Sequence, residues 1–569
     1  MKGFQNLIEK DLESALTDLG VSGDLWRKLL SHSRERSQGD LTLPCFPLGK
    51  QLSRSPIDMA DDLVTILASK HDVSATNGYL NFKADGEWLA QRAIDGKKKA
   101  GSKKILIEHT SANPNGPFHV GRARNAILGD TMVRLYRLNG DEVKAEYYVD
   151  DMGKQVAILA WALANLSSEE VDEVLADKDE INPKWEEKAD HARVRWYQAA
   201  QALREQRPEI DQEIAKMVHD SEDGDDSVLV AFENAYQPVL DGMLETLSRM
   251  GIGFDTFTRE SVFVIDGSVA KVMARLESLE IHGTADNGAH FLDLGARGLK
   301  GKTEFFFRRG DGSSLYATRD IAYHMWKWQQ GFDLLNVLGE DHRLQSKQVG
   351  MALEELGEKA PEVIFYAFIK LPEGKMSTRK GNVVFMDDLL DEAKEHAAAV
   401  VRELRPELDI DSVEEIAEAV GVSAVRFNII RVSPEKGFTF TWDEALSFEG
   451  NSAPFIMYSH TRACSIARKV GRGSNDCTIP SPINQSTKEL LRTIELGADV
   501  LDRTLKESKP HLYANHLLEL SSTFNAFYRD NPVVVEGVVD EFNFAICERT
   551  RVLLHDGMVG IGIEPLTSM

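Results

Sequence analysis

The rhythm of the chain changes near residue 104, and that change limits the fold more than any other feature. The stretch "KKILIEHT" (103–110) alternates apolar and polar residues with the period of two that a strand requires. "NAILGDTMVRLYRLNG" (125–140) repeats its apolar residues every three to four positions and stops at Gly140, as a helix does. The alternation continues to about residue 390, with strands expected at 104–108, 145–149, 334–338 and 363–368. Such a rhythm predicts a parallel sheet wrapped by helices, because neighbouring parallel strands must be joined by a crossover.

The flanking regions read differently. At 569 residues the chain is too long for one core, and about four domain-sized units is the expectation. Residues 1–100 look like a small α+β unit that closes with "NGYLNFKADGEW" and a lysine-rich connector. Residues 101–390 hold the sheet, interrupted by an acidic helical insertion at about 160–250. Residues 391–569 are almost purely helical in pattern, and Ser486 followed by Glu489 predicts a capping box ahead of Leu490.

Charge matters because the net value, −25, speaks against a polyanionic partner. Much of the acid, however, lies in "SSEEVDEVLADKDE" (167–180) and "HDSEDGDDS" (219–227), which read as solvated surface. A polyanion must therefore find a local basic groove. No apolar stretch approaches a membrane span, so the cytoplasm is the expected location. Cys45, Cys464, Cys477 and Cys547 are scattered, with no CxxC pair and no nearby His, which predicts neither zinc nor disulfides.

Between the first strand and its helix lies "NPNGPFHVGR" (113–122), a turn at the edge of the sheet where helix N-termini favour anions. Pro114 and Pro117 stiffen it, Gly121 leaves room for a flat base or a phosphate, and His119 and Arg122 add donors. A rigid structural turn with His119 as helix cap explains the same residues. A second stretch, "LPEGKMSTRKGNVVF" (371–385), groups Lys375, Arg379 and Lys380 around Ser377 and Thr378 after a predicted strand. Two cationic loops on one edge would grip a triphosphate and stabilise charge on leaving pyrophosphate. "ARGLKGKT" (296–303) fits a loose P-loop pattern, but "EFFFRRGDGS" after it reads as strand and turn instead of helix.

"HVGR" resembles the HIGH motif and "KMSTR" the KMSKS motif of class I aminoacyl-tRNA synthetases. Their order and flanks, with "EHTSANPNGPFHVGRARNAILGD", "YYVDDMGKQ", "SLYATRDIAYH" and "SFEGNSAPFIMYSHTRACSI", are similar to those of the arginyl-tRNA synthetase family. The resemblance implies a class I Rossmann-like (HUP) α/β catalytic domain, a small α+β N-terminal domain that binds the tRNA elbow, and a C-terminal α-helical anticodon-binding bundle. It implies that Pro117, His119, Gly121, Arg122, Lys375, Met376 and Ser377 meet ATP, with Arg379 or Lys380 as a further loop cation. Mg2+ would arrive with ATP and not at a dedicated protein site.

Arginine's guanidinium, planar with five donors, asks for carboxylates. By resemblance Glu108 and Asp320 pair with it, Tyr316 bonds it, Asn113 holds the α-amino group, and His342 lies in the pocket. Tyr316 and Asp320 are four apart and expected on one helix face. The tRNA contacts implied are Tyr79 and Asn81 in "GYLNF", Tyr458, and the last residue, Met569. Two positions depart from the motifs: Arg122 stands where HIGH ends in His, and Thr378 where KMSKS has Lys. A monomer that joins arginine to tRNA(Arg) is the expectation.

Overall fold

The computed structural model describes residues 1–21, 25–33, 38–96, 101–176, 183–370, 384–447 and 449–569. Its central sheet has five parallel strands in the spatial order Glu362–Tyr366, Asp333–Gly339, Lys104–Glu108, Glu142–Val149, Thr256–Arg259. Ile105, Leu106 and Ile107 are all buried, as in a strand covered on both faces. The first strand is the middle one. The chain builds outward on one side of it and then returns to the other, so a crevice opens at Glu108, where the strand order reverses. Thr256–Arg259 was not among the expected strands; as a short edge strand with every second residue exposed, it gives little periodic signal.

The fourth expected strand, 363–368, ends early, at Tyr366. The Ala367 N–H donates to the Pro434 carbonyl (2.9 Å), and the buried Arg124 guanidinium holds the carbonyls of Ala367 and Ser433. These bonds pull the chain off the sheet, and Ile369–Lys370 pairs instead with Phe438–Thr439. The segment that begins at 371 therefore leaves a small second ribbon beside the helix Val120–Asn139, not the sheet's own edge.

That helix ends as its sequence requires, with Gly140 left-handed at φ 87°. It is buried nearly all round because the sheet covers one side and the helical region the other. Tyr136 Oη donates to the Leu505 carbonyl (3.1 Å), and Asp130 pairs with the fully buried Arg426, which also donates to the Met250 carbonyl (2.7 Å).

The insertion supplies the helices Lys154–Asn165, Ser168–Val174, Ala189–Gln206, Glu209–Glu222 and Asp226–Arg249, all between the second strand and the edge strand. The N-terminal region is a four-stranded antiparallel sheet with helices packed on it. In the C-terminal region, Gln485–Glu507 starts one residue before Ser486. Asn484 is its cap, accepting from the Thr487 N–H (2.9 Å), and Ser486 Oγ bonds to that cap (3.1 Å), so the expected capping box is not formed. Asn ranks among the best N-caps, which explains why it wins. The four cysteines are free thiols, but Cys464 has a His neighbour after all: His460 Nε2 lies 3.5 Å away, one helical turn earlier. Residues 296–303 run through a short turn into the antiparallel strand Glu304–Arg308, so no helix follows the P-loop-like stretch.

Candidate active site

The chain leaves the central strand under strain. Thr110 and Ser111 are both left-handed (φ 69° and 36°), a region that a β-branched residue strongly disfavours. Neighbours hold them there: Asn125 Oδ1 accepts from the Thr110 N–H (2.7 Å), and Ser111 Oγ accepts from the Tyr148 N–H (3.1 Å). Beyond them, Gln155 Oε1 accepts from the amides of both Asn113 (3.0 Å) and Asn115 (2.9 Å). The turn is thus pre-shaped before any ligand arrives.

Pro117 is buried at its end, and His119 takes the N-cap position of Val120–Asn139. Its side chain makes no capping bond; the ring lies over Gly121, where an added Cβ would come within 3.0 Å of Nδ1. Gly121 therefore makes room for this ring in the first place. Burial, with the Arg122 charge adding to it, pushes His119 down to about 4, so the ring is neutral at neutral pH. Burial also lowers Arg122, but a guanidinium stays charged. Arg122 donates to the Asn113 carbonyl (3.5 Å) and carries the turn's cationic charge.

At the mouth of the crevice Glu108, Asp320 and His342 line one cavity, together with His324, Asn336 and Gln345. Lys327, buried with no exposed side-chain surface, donates to Glu108 Oε2 (2.7 Å) and Asn336 Oδ1 (3.2 Å) and sits over the Tyr323 ring. Asn336 Nδ2 donates to His324 Nε2 (2.7 Å), while His324 Nδ1 faces the Asp320 carbonyl (2.8 Å) and carboxylate (3.0 Å). With Nε2 accepting from Asn336, Nδ1 carries a proton and donates to Asp320. Burial alone would raise the Asp320 carboxyl; the charge of His324 and its bond, followed by the charges of Lys327 and His342, outweigh it and hold the group below its ordinary value. Of the two carboxylates, Glu108 already meets the Lys327 ammonium, and Asp320 is left to pair with a guanidinium.

Tyr316 and Asp320 share a helix, Tyr316–Gln329, but only Asp320 lines the cavity. Tyr316 is half exposed, and its hydroxyl stands beside Asp150 and Gly153, outside the Glu108–Asp320 cavity. Asn113 likewise lies at the turn and not among the cavity's lining residues. Tyr148 stacks on Tyr323 and donates to Glu260 (3.3 Å), while Arg319 pairs with Glu260 and Glu222. Burial raises Asp150 from its ordinary value and pushes Glu260 up to about 7.

Lys375, Met376, Ser377, Arg379 and Lys380 lie outside the described residues, but the flank that follows their stretch meets the His119 turn. The Val120 N–H donates to the Val384 carbonyl (3.0 Å), the Met386 N–H donates to the Phe118 carbonyl (2.8 Å), and His119 bridges Phe385. Ile369–Lys370 packs beside Val120–Asn139 from the other side.

Residues 86–442 match the family model described as tRNA synthetases class I (R), catalytic domain. Residues 6–84 match the arginyl tRNA synthetase N terminal domain, and 456–569 the DALR anticodon binding domain. The chain belongs to the arginyl-tRNA synthetase family. An arginine–tRNA ligase of Methanocella arvoryzae is 40% identical to this synthetase over 536 residues, 92% of each chain. One of Archaeoglobus fulgidus is 38% identical over 573 residues, covering 98% of this chain and 99% of its own. Among solved structures, Thermus thermophilus arginyl-tRNA synthetase superposes with a TM-score of 0.78 at 26% identity, over 99% of this chain and 100% of that one.

In the synthetase's N-terminal domain, Tyr79 is 41% exposed and meets Phe46 edge-on. Asn81, expected to read a base edge from the same face, is only 1% exposed, and neither end of its amide has a partner. Strand periodicity fixes which face a residue joins, not whether another element covers that face. In the helical region, Tyr458 is 44% exposed. The Arg462 guanidinium lies 4.8 Å from both the Tyr458 and Tyr528 rings and donates to Asn525 Oδ1 (2.7 Å). Met569 is partly buried, and its carbonyl accepts from Arg405.

Residues that single-sequence reasoning missed include Lys327, His324, Asn336, Gln155, Asp150 and Glu260. Only the doubled Asp in "YYVDDMGKQ" gave a local signal; the others read as ordinary members of amphipathic elements.

Proposed function

We propose that the synthetase binds the arginine side chain in the cavity of Glu108, Asp320 and His342, with Tyr316 at its rim and Asn113 at the α-amino group. One observation carries this reading: two carboxylates and one buried ammonium meet beside a turn whose only permanent cation is Arg122. The arginine carboxylate attacks the α-phosphate of ATP, giving arginyl-adenylate and pyrophosphate; a terminal hydroxyl of the tRNA then attacks the arginyl carbonyl, the bond to the phosphate breaks, and AMP leaves. Pro117, Gly121 and the neutral His119 ring shape the ATP site. Arg122 faces its phosphates, and Lys375 with Arg379 or Lys380 answers from the other side, alongside Met376 and Ser377. Pairing of 384–386 with 118–120 supports that arrangement. Mg2+ accompanies the phosphates and shields their charge; the turn's own donors are N–H groups, suited to phosphate oxygens.

Residues 1–100 and 391–569, which flank the 101–390 catalytic unit in the sequence, take up the tRNA, through Tyr79 at the elbow and through Tyr458 and Met569 toward the anticodon; the covered Asn81 supports the Tyr79 strand from within. Half-exposed aromatic rings, one held by a guanidinium, suit the stacking of unpaired bases. The reading includes a cytoplasmic monomer, consistent with all the proposed substrate groups lying on one chain. Among the described residues, no helix is long and apolar enough to cross a membrane.

ATP–pyrophosphate exchange, run over the amino acids with and without tRNA, tests the reading. Exchange that requires arginine and appears on addition of tRNA is expected. Exchange driven by glutamine, or none with arginine, refutes it.

A further inference from the structure

The insertion closes on the element that follows the 371–383 stretch. Met386–Leu404 opens with three acids, Asp387, Asp388 and Asp391, and each is held from the insertion. Asp387 is 2% exposed: its Oδ2 accepts from Lys188 Nζ (2.8 Å) and His191 Nε2 (2.9 Å), its Oδ1 from Thr246 Oγ1 (2.9 Å). Trp185 Nε1 donates to Asp388 (3.0 Å), and Arg249 donates to Asp391 (2.8 Å) and Glu418 (2.7 Å). Asp190, His191 and Asp387 group their ligand atoms closely enough for a metal ion, but the Lys188 ammonium already stands among them, 3.1 Å from Asp190. The cluster's cation is a lysine. Gly242 makes room for it, since a Cβ there would come within 2.6 Å of the Asp190 carboxylate.

Two residues before Asp387, Phe385 bridges His119 and presents its ring edge-on to His191 (5.1 Å between centroids). The backbone of 384–386 is thus bonded on one side to the turn at 118–120, and the next residue is bonded on the other side to the insertion. We propose that Lys188, His191 and Thr246 are positioning residues for the ATP site: by fixing Asp387 they set the register of 384–386 against 118–120. The inference rests on the assignment of ATP to the His119 turn.

The physical warrant is rigidity. A buried carboxylate with three donors has essentially one place to sit, whereas the two backbone bonds at 118–120 alone would let the pair slide. A shift of about 1 Å in a phosphate-facing group costs up to about a hundredfold in rate.

The test uses the full chain and three variants: His191→Phe, which keeps a ring against Trp185 and Phe385; Asp387→Asn; and the double variant. Arginine and ATP are titrated separately in ATP–pyrophosphate exchange with tRNA present, and thermal unfolding is recorded alongside. Each single variant should raise the KM for ATP about tenfold while the KM for arginine stays within about twofold, and the double variant should be no worse than either single, because the residues act as one unit. A fall in thermal midpoint with an unchanged KM for ATP, or strictly additive losses, would overturn the proposal. Arginine-dependent exchange by the unaltered protein, measured in the same series, separates failure of this inference from failure of the ATP-site reading.

Discussion

Replacing Asp320 by Asn changes one charge and almost no shape. The Asn carbonyl oxygen takes over the position now 3.0 Å from His324 Nδ1, and the backbone carbonyl at 2.8 Å remains, so the Lys327–Asn336–His324 network keeps its bonds. What is lost is the carboxylate's attraction for a guanidinium. Two unit charges about 4 Å apart attract by about 4 kcal/mol at an effective dielectric of about 20, and by about 1 kcal/mol in bulk water. With its side chain 36% exposed, Asp320 belongs between these limits, near about 2 kcal/mol. That corresponds to about a thirtyfold weaker affinity for arginine. Exchange assays that titrate arginine and ATP separately, checked by calorimetric arginine binding, should show the loss for arginine alone. Equal losses for ATP would make Asp320 a structural residue, and an arginine affinity within about twofold of the original would remove it from the site. The direction of its pKa adds a second check. A carboxyl held below the ordinary 3.8 loses its charge only as pH falls through the lower folded value, so the difference in arginine affinity between the unaltered protein and Asp320→Asn should persist from neutrality to about pH 4.

Lys327→Met strands Glu108 and leaves Asn336 Oδ1 without its donor; about 3–5 kcal/mol of unfolding free energy should disappear in a urea titration, and a loss below about 1 kcal/mol would show that the pair is dispensable. Burial takes His109 from 6.5 down to about 4, so the unfolded chain binds a proton that the folded state refuses; stability falls as pH drops from 6.5 toward 4, by at most about 3 kcal/mol for this residue. His109→Asn should flatten that dependence in thermal melts, and equal slopes for both proteins would contradict it. Tyr79→Ala removes a half-exposed ring and should raise the KM for tRNA with the KM for arginine unchanged; an unaltered tRNA dependence would take this face out of the interface.

The local patterns of the sequence determined the alternating architecture, the helix that stops at Gly140, the failure of the 296–303 stretch as a P-loop, and the choice of Glu108, Asp320 and His342 for a common cavity. The first three depend on interactions within about one turn or one strand; the last came from the resemblance to a known family. The tertiary structure alone decided which cation Glu108 meets, since Lys327 stands 219 residues away and looks like any lysine on an amphipathic helix. It decided that Asp320 lines the cavity while Tyr316, one turn earlier, stands beside Gly153, and that Asn81 is covered while Tyr79 is open. It also decided that residues 384–386 pair with 118–120, and that the insertion holds Asp387 next to them. The reason is one of range: periodicity reports what a residue's own element does, whereas burial, pairing and charge balance are set by whatever distant element packs against it.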